Sequence, residues 1–178
     1  FTIYDTSDSE RLMKEILRDM NLDDKTYPPR YVLSIIGRQK DRLISPEQME
    51  EDSRSASDYR IVQIAKAYAV YQKRLKDNNA LDFDDILYVT VKLLQQDREV
   101  REYYQRKFHY VLVDEYQDTN HVQYEMTELV AGDRRNICVV GDDDQSIYRF
   151  RGATIENILS FEEQYPGARV IRLEQNYR

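Results

Sequence analysis

The sequence has a single cysteine and no tryptophan, and it holds only 5 glycines and 4 prolines among 178 residues. One cysteine, Cys138, cannot form an internal disulfide, so a reducing, cytoplasmic setting is expected. No apolar run reaches the ~18 residues that a membrane-spanning helix needs, and residues 1–5 lack the pattern of a signal peptide. The low glycine and proline contents exclude collagen-like and low-complexity chains. These absences leave a folded, helix-rich chain of one domain or two small ones.

Charge, by contrast, is abundant, with 26 basic and 33 acidic residues and a net charge of −7. This sum argues against a protein that coats nucleic acid or a membrane surface, although it does not exclude a local basic site. Most of the net negative charge lies late in the chain, because residues 107–178 hold 8 basic and 13 acidic residues, whereas residues 1–106 hold 18 and 20.

Residues 1–106 have the apolar spacing of amphipathic helices. One stripe runs from Leu12 to Met20 after the cap-like Ser7–Ser9, a second from Ile61 to Leu75, and a third from Phe83 to Leu94. Prolines and asparagines with turn-forming chemistry separate the stripes. This part of the chain is therefore predicted to be an all-helical subdomain.

Residues 107–178 instead alternate short β-branched runs with amphipathic stretches. Strands are predicted at Tyr110–Val113, Ile137–Val140 and Arg169–Leu173, with helices between them. This order is typical of βαβ units, so an α/β fold is expected, with a parallel sheet covered by helices on both faces. Cys138, inside the second strand, is then expected to be a small buried residue.

Acidic clusters follow the first two predicted strands. Asp114 and Glu115 end the first, and Gly141–Ser146 follows the second. Ligands of open α/β sheets bind beyond the carboxyl ends of the strands. There one carboxylate can hold Mg²⁺ while the other accepts a proton from water, and Gln145 can orient water or contact a phosphate. The alternative interpretation is a pair of solvated turns that cap the following helices.

Aromatic and basic residues alternate in Ile147–Gly152. Tyr148 and Phe150 offer faces for base stacking and Arg151 a guanidinium for phosphates, which is what single-stranded nucleic acid requires. A packed core pair is the alternative. Arg178, after the last predicted strand, can reach a nucleotide γ-phosphate or remain a surface arginine.

Taken together, these stretches resemble signature motifs of the UvrD/Rep/PcrA-type superfamily 1 DNA helicases. Val113–Asn120 is similar to motif II, Val140–Ala153 to motif III and Leu173–Arg178 to motif IV. Leu81–Leu87 resembles a signature that precedes motif II. The order and spacing match, and the likeness covers essentially the whole chain.

The resemblance implies a division into two parts. Residues 107–178 would be part of a RecA-like P-loop NTPase motor domain of the 1A type, and residues 1–106 a helical insert of the 1B type. The family's phosphate loop, G-x-x-x-x-G-K-[ST], does not occur, since Gly37 is followed by Arg38 without the rest of the motif. The chain is therefore expected to be a piece of a longer helicase and to be inactive alone, its ATP site being completed by missing parts of the same protein.

The resemblance also implies roles for individual residues, with ATP and Mg²⁺ as cofactors. Asp114 would coordinate Mg²⁺, and Glu115, beside the metal, would activate the hydrolytic water. Gln145 and Arg178 would contact the γ-phosphate, and Tyr177 would pack near the adenine. The path of single-stranded DNA would be lined by Tyr148, Phe150 and Arg151. Phe150 departs from the tryptophan common in the family, which weakens stacking without abolishing it.

The parent protein is thus expected to unwind duplex DNA at single-strand/double-strand junctions with 3′ to 5′ polarity. Two alternatives remain open at this level. One is a stand-alone DNA-binding or protein-docking module that uses the basic residues Arg38, Lys40 and Arg42, for which a solvated helix face is the simpler interpretation. The other is a metal-dependent nuclease built from the two acidic clusters.

Overall fold

The computed structural model describes residues 1–55, 58–142 and 161–172. Over these ranges the chain is mostly helical, with two small parallel sheets. The strands are β1 (Thr2–Ile3), β2 (Ala80–Leu81), β3 (Val111–Val113) and β4 (Ile137–Val139). The helices are α1 (Thr6–Asp19), α2 (Pro29–Asp41), α3 (Pro46–Ser53), α4 (Tyr59–Asp77), α5 (Phe83–Gln96), α6 (Arg98–Lys107), α7 (His121–Ala131) and α8 (Phe161–Gln164). Short 3₁₀ turns cover Tyr116–Asp118 and Gly132–Arg134.

The main apolar core lies among α1, α2, α3 and α4. Ile16 and Leu17 of α1 are buried there with Ile64 and Tyr68 of α4. These residues recur at helical spacing, so each helix turns one apolar side inward and leaves its charged side in water. The structure confirms the predicted helices in this half of the chain.

Two details of this half differ from the prediction. Helix α1 begins at Thr6 and is capped by Asp5, whose carboxylate accepts the N–H of Asp8 at 2.8 Å. The predicted cap at Ser7–Ser9 is wrong, because those residues already lie inside the helix. The region is also not purely helical, since β1 pairs in parallel with β2 in the link between α4 and α5.

A buried charge cluster joins α2 to α5. The side chain of Lys40 is fully buried, with Nζ 2.7 Å from Asp82 Oδ2 and 2.9 Å from Asp85 Oδ1. The two aspartates also cap α5 reciprocally, each accepting the backbone N–H of the other. Arg38 and Arg42 are exposed. The interpretation of the three basic residues as one solvated face is therefore wrong at Lys40. A buried ammonium is costly unless it is paired with opposite charge, and here two aspartates pair with it.

Strand β3, helix α7 and strand β4 form a parallel βαβ unit, against which α5 and α6 pack. Val111 pairs with Ile137 and Val113 with Val139. The structure thus confirms the first two predicted strands and their parallel pairing, each strand being shorter than predicted.

The sheet is smaller and more open than the sequence predicted. Leu112 is 76% exposed and Cys138 is also exposed, so one face of β3 and β4 is uncovered and the expected burial of Cys138 is wrong. Residues 169–172 of the third predicted strand form no strand, and Val170 and Ile171 are exposed. A strand needs a neighbour for its backbone hydrogen bonds, and none in the described ranges pairs with this segment. The predicted sheet with helices on both faces is therefore not seen in the described ranges.

Candidate active site

The chain turns sharply after β3 at the adjacent carboxylates Asp114 and Glu115, both of which are exposed. Glu115 has φ 50° and ψ 43°, a left-handed conformation that is uncommon outside glycine and is enriched at functional sites. The N–H of Glu115 donates to Asp114 Oδ1 at 2.9 Å, a local bond that supports the turn. The two carboxylates are thereby presented side by side at the carboxyl end of the strand.

The residues that follow anchor this turn to the protein interior. Tyr116 is fully buried, and its ring packs edge-on against Phe161 with centroids 5.7 Å apart. Its backbone N–H donates to the carbonyl of Val140 at 2.9 Å. Burial raises the pKa of Tyr116 to about 12, so the phenol is neutral at physiological pH. Tyr116 is thus an apolar anchor beneath an exposed acidic turn.

The first residues after β4 lie against the same turn. Val140 N–H donates to the carbonyl of Val113 at 2.8 Å, which extends the pairing of the two strands. Asp142 N–H donates to Gln117 Oε1 at 3.0 Å, and Gln117 Nε2 donates to Glu115 Oε2 at 2.7 Å. The structure therefore brings the start of the second acidic cluster next to the first, as expected for the carboxyl ends of neighbouring parallel strands.

Gln117 is not among the site residues that the sequence predicted. It is only 2% exposed, yet a glutamine inside an acidic turn has the composition of a solvated loop and carries no local signal of burial. The remaining predicted site residues lie outside the described ranges: Gln145, Tyr148, Phe150, Arg151, Tyr177 and Arg178.

A cleft of about 830 Å³ extends from the carboxylates along β3. Its walls come from α5, α6, α7 and the strand itself, and most of the side chains are apolar. The apolar and aromatic lining includes Leu93, Leu94, Val100, Tyr104, Phe108, Leu112, Met126 and Val130. Acidic side chains occur where the strand ends, at Asp114, Glu115 and Asp118. The exposed carboxylates therefore stand at one end of a largely apolar cleft.

The donor set at the turn suits Mg²⁺, a hard cation that is usually held by one or two carboxylates together with water and phosphate oxygens. Asp114 and Glu115 supply such carboxylates. No group of three or more histidine, cysteine, aspartate and glutamate side chains converges on one point in the described ranges, so these hold no all-protein metal cage. The arrangement fits a cation that arrives with a phosphate ligand.

None of the helices in the described ranges combines the length and the apolar character needed to cross a membrane.

Residues 1–166 match the UvrD/REP helicase N-terminal domain. All 178 residues align with "ATP-dependent DNA helicase PcrA" of Bacillus subtilis (strain 168), with 51% identity over 24% of that protein. Proteins of the same name from Staphylococcus epidermidis and Staphylococcus aureus are 48% identical over the same share of their length. The chain thus spans about a quarter of these relatives, and it belongs to the UvrD/REP helicase family.

Proposed function

We propose that this chain is part of an ATP-dependent DNA helicase and that Asp114 and Glu115 belong to its ATP-hydrolysing site. The turn after β3 carries the proposal, because it presents two adjacent carboxylates at the sheet edge with the loop after β4 against them. The relatives are named as ATP-dependent DNA helicases, which supports ATP and DNA as the ligands.

In this proposal the two carboxylates have different roles, one as a metal ligand and the other as the general base. Asp114 holds Mg²⁺, and bound Mg²⁺ supplies positive charge that offsets the phosphate oxygens. Glu115 orients the attacking water and accepts its proton, for which its exposure to solvent at the end of the cleft is suitable. Gln145 and Arg178 contact the γ-phosphate and Tyr177 packs near the adenine, as the family resemblance implies.

The DNA side of the proposal also follows the resemblance. Residues 107–178 belong to a 1A-type motor domain and residues 1–106 to a 1B-type helical insert. The motor moves 3′ to 5′ on single-stranded DNA and unwinds duplex at the junction, with bases and phosphates contacted by Tyr148, Phe150 and Arg151. The 178 residues alone are expected not to hydrolyse ATP, because they contain no phosphate loop.

The alternative functions gain no support from the structure. The docking-module alternative depended on three basic residues near the end of α2. One of them, Lys40, is buried and paired with Asp82 and Asp85, so it is not available to a partner. A two-metal nuclease requires several carboxylates that converge on one phosphate. The described ranges show no such group, and Asp143 and Asp144 of the second acidic cluster lie outside them.

The test is the substitution Glu115→Gln in the full-length helicase that contains this chain. Turnover of ATP is expected to fall at least about 100-fold while nucleotide binding stays within about twofold, because the base is lost and the shape is kept. The matched control is Glu99→Gln, which removes an exposed carboxylate on α6 and should leave turnover unchanged. Turnover above about a tenth of the parent value in Glu115→Gln would show that Glu115 is not the base.

A further inference from the structure

Gln117 connects the two loops at the carboxyl ends of β3 and β4. Its side-chain amide donates through Nε2 to Glu115 Oε2 at 2.7 Å and accepts through Oε1 from the N–H of Asp142 at 3.0 Å. The Gln117 side chain is only 2% exposed, whereas Glu115 is exposed, so the two part-buried bonds link a buried amide to the surface. Burial of the amide raises the cost of leaving either of its ends without a partner.

The orientation of this amide is dictated by its two partners. A backbone N–H can only donate, so the amide atom that faces Asp142 must be the oxygen. The nitrogen is then directed at Glu115, whose carboxylate oxygen can accept. A rotation of the amide by half a turn would break both bonds. Gln117 is therefore a bridge of fixed orientation between the two loops.

The bond from Gln117 restricts the orientation of the Glu115 carboxylate. The backbone of Glu115 is held by its own N–H bond to Asp114 and by the next residue, Tyr116, which bonds to Val140. The bond from Gln117 adds a constraint at the far end of the side chain, at Oε2. The other oxygen, Oε1, has no hydrogen-bond partner in the described ranges and is available to a water molecule.

We propose that Gln117 is a positioning residue that fixes the Glu115 carboxylate relative to the loop after β4, so that a shift of that loop moves the base. The inference rests on the proposed role of Glu115 as the base. It assigns to Gln117 no contact with nucleotide or metal, and its effect on the reaction passes entirely through Glu115.

The test uses the full-length helicase with Gln117→Met, which keeps the length of the side chain and removes both bonds. Loss of the constraint is expected to lower kcat for ATP hydrolysis at least about tenfold, because small misplacements of a reacting group are costly, and to leave KM for ATP within about twofold. Gln117→Glu keeps an acceptor for Asp142 and removes the donor to Glu115. Gln117→Glu should also lose at least about tenfold in kcat. It provides the test of the proposal if Gln117→Met does not fold.

The matched control is Gln48→Met. It makes the same exchange at an exposed glutamine on α3, whose side chain donates to Asp52 at 2.8 Å, and kcat should not change. The decisive measurement adds Gln117→Glu and Gln117→Met to Glu115→Gln. A residue that acts only through Glu115 causes no further loss there, whereas a residue with a general structural role lowers the residual rate again.

The inference is overturned if every folded Gln117 variant keeps kcat within about twofold of the parent. It is also overturned if the losses multiply in the Glu115→Gln background, or if KM rises while kcat is kept. Turnover above about a tenth of the parent value in Glu115→Gln by itself would overturn the proposed role of Glu115, which distinguishes that failure from a failure at Gln117 alone.

Discussion

Removal of the Lys40 ammonium is expected to destabilise the chain strongly. Lys40 Nζ lies 2.7 Å from Asp82 and 2.9 Å from Asp85, and their side chains are 0%, 10% and 1% exposed, respectively. Asp85 also accepts a bond from Gln72 at 3.0 Å, and the ammonium lies 5.3 Å from the centre of the Tyr71 ring. The substitution Lys40→Met keeps most of the side-chain volume and leaves two buried carboxylates without their cation.

Breaking one buried ion pair by removing one partner costs about 3–5 kcal/mol, mainly because the remaining charge is left uncompensated. Two carboxylates share this lysine, so we expect the loss in the free energy of unfolding to lie in that range or above it. For a protein of this size each kcal/mol lowers the melting temperature by about 2–4 °C, which gives a decrease of at least about 6 °C. Urea denaturation followed by circular dichroism measures the free energy directly.

The matched control is Arg74→Met, which removes an exposed arginine 3.1 Å from Asp19 and should cost no more than about 1 kcal/mol. The double substitution Lys40→Met with Asp85→Asn should recover part of the lost free energy of unfolding, because it removes one of the two buried carboxylates left without a cation. A cost below about 1 kcal/mol for Lys40→Met, equal to that of Arg74→Met, would refute the reasoning that the cluster is held by charge compensation.

Two further predictions concern the region around α7. Burial raises the pKa of Glu128, whose carboxylate accepts a bond from the Tyr165 hydroxyl, so its charged form is disfavoured in the folded chain. A raised folded-state pKa stabilises the fold below the unfolded-state pKa, and this contribution is lost as pH rises through the folded-state pKa. Glu128→Gln should therefore have a higher melting temperature than the parent at pH 7, with the difference vanishing towards pH 4, and a constant difference across that range would contradict the assignment. Gly132 has φ 58° and ψ −157°, and an added Cβ would lie 2.7 Å from Gln105. Gly132→Ala should therefore lower the free energy of unfolding in urea by about 1–3 kcal/mol. An unchanged denaturation midpoint would show that the turn tolerates a side chain.

The sequence predicted those parts of the fold that depend on local pattern. The β-branched runs indicated β3 and β4, and parallel pairing with a connecting helix followed from their separation. The rule that ligands bind beyond the carboxyl ends of strands then indicated Asp114 and Glu115, which the structure places at that edge. The strand predicted at Arg169–Leu173 failed over residues 169–172, because an apolar run specifies a strand only when a neighbouring strand is present to pair with it.

The features that the sequence did not predict depend on partners distant in the chain. Lys40 is buried because two aspartates more than 40 residues later compensate its charge, and a lysine on an amphipathic helix gives no local sign of such partners. Gln117 is buried where the backbone N–H of Asp142, 25 residues away, donates to its side-chain oxygen across the strand ends. Both residues look solvated by composition, and only the tertiary arrangement decides otherwise.

The same end of α2 that carries Lys40 also reaches the neighbourhood of the acidic turn. Asp41, the next residue, accepts a bond at 2.9 Å from the side chain of Asn120, which caps α7 and follows the turn by five residues. One helix end therefore fixes the start of α5 through Lys40 and the start of α7 through Asp41. Since Glu115 lies between β3 and α7, its position depends on both the pairing of the strands and this link to the helical part of the chain. A polar contact of this kind is short and directional, so it adds to the apolar packing a specific constraint on the position of α7 relative to α2.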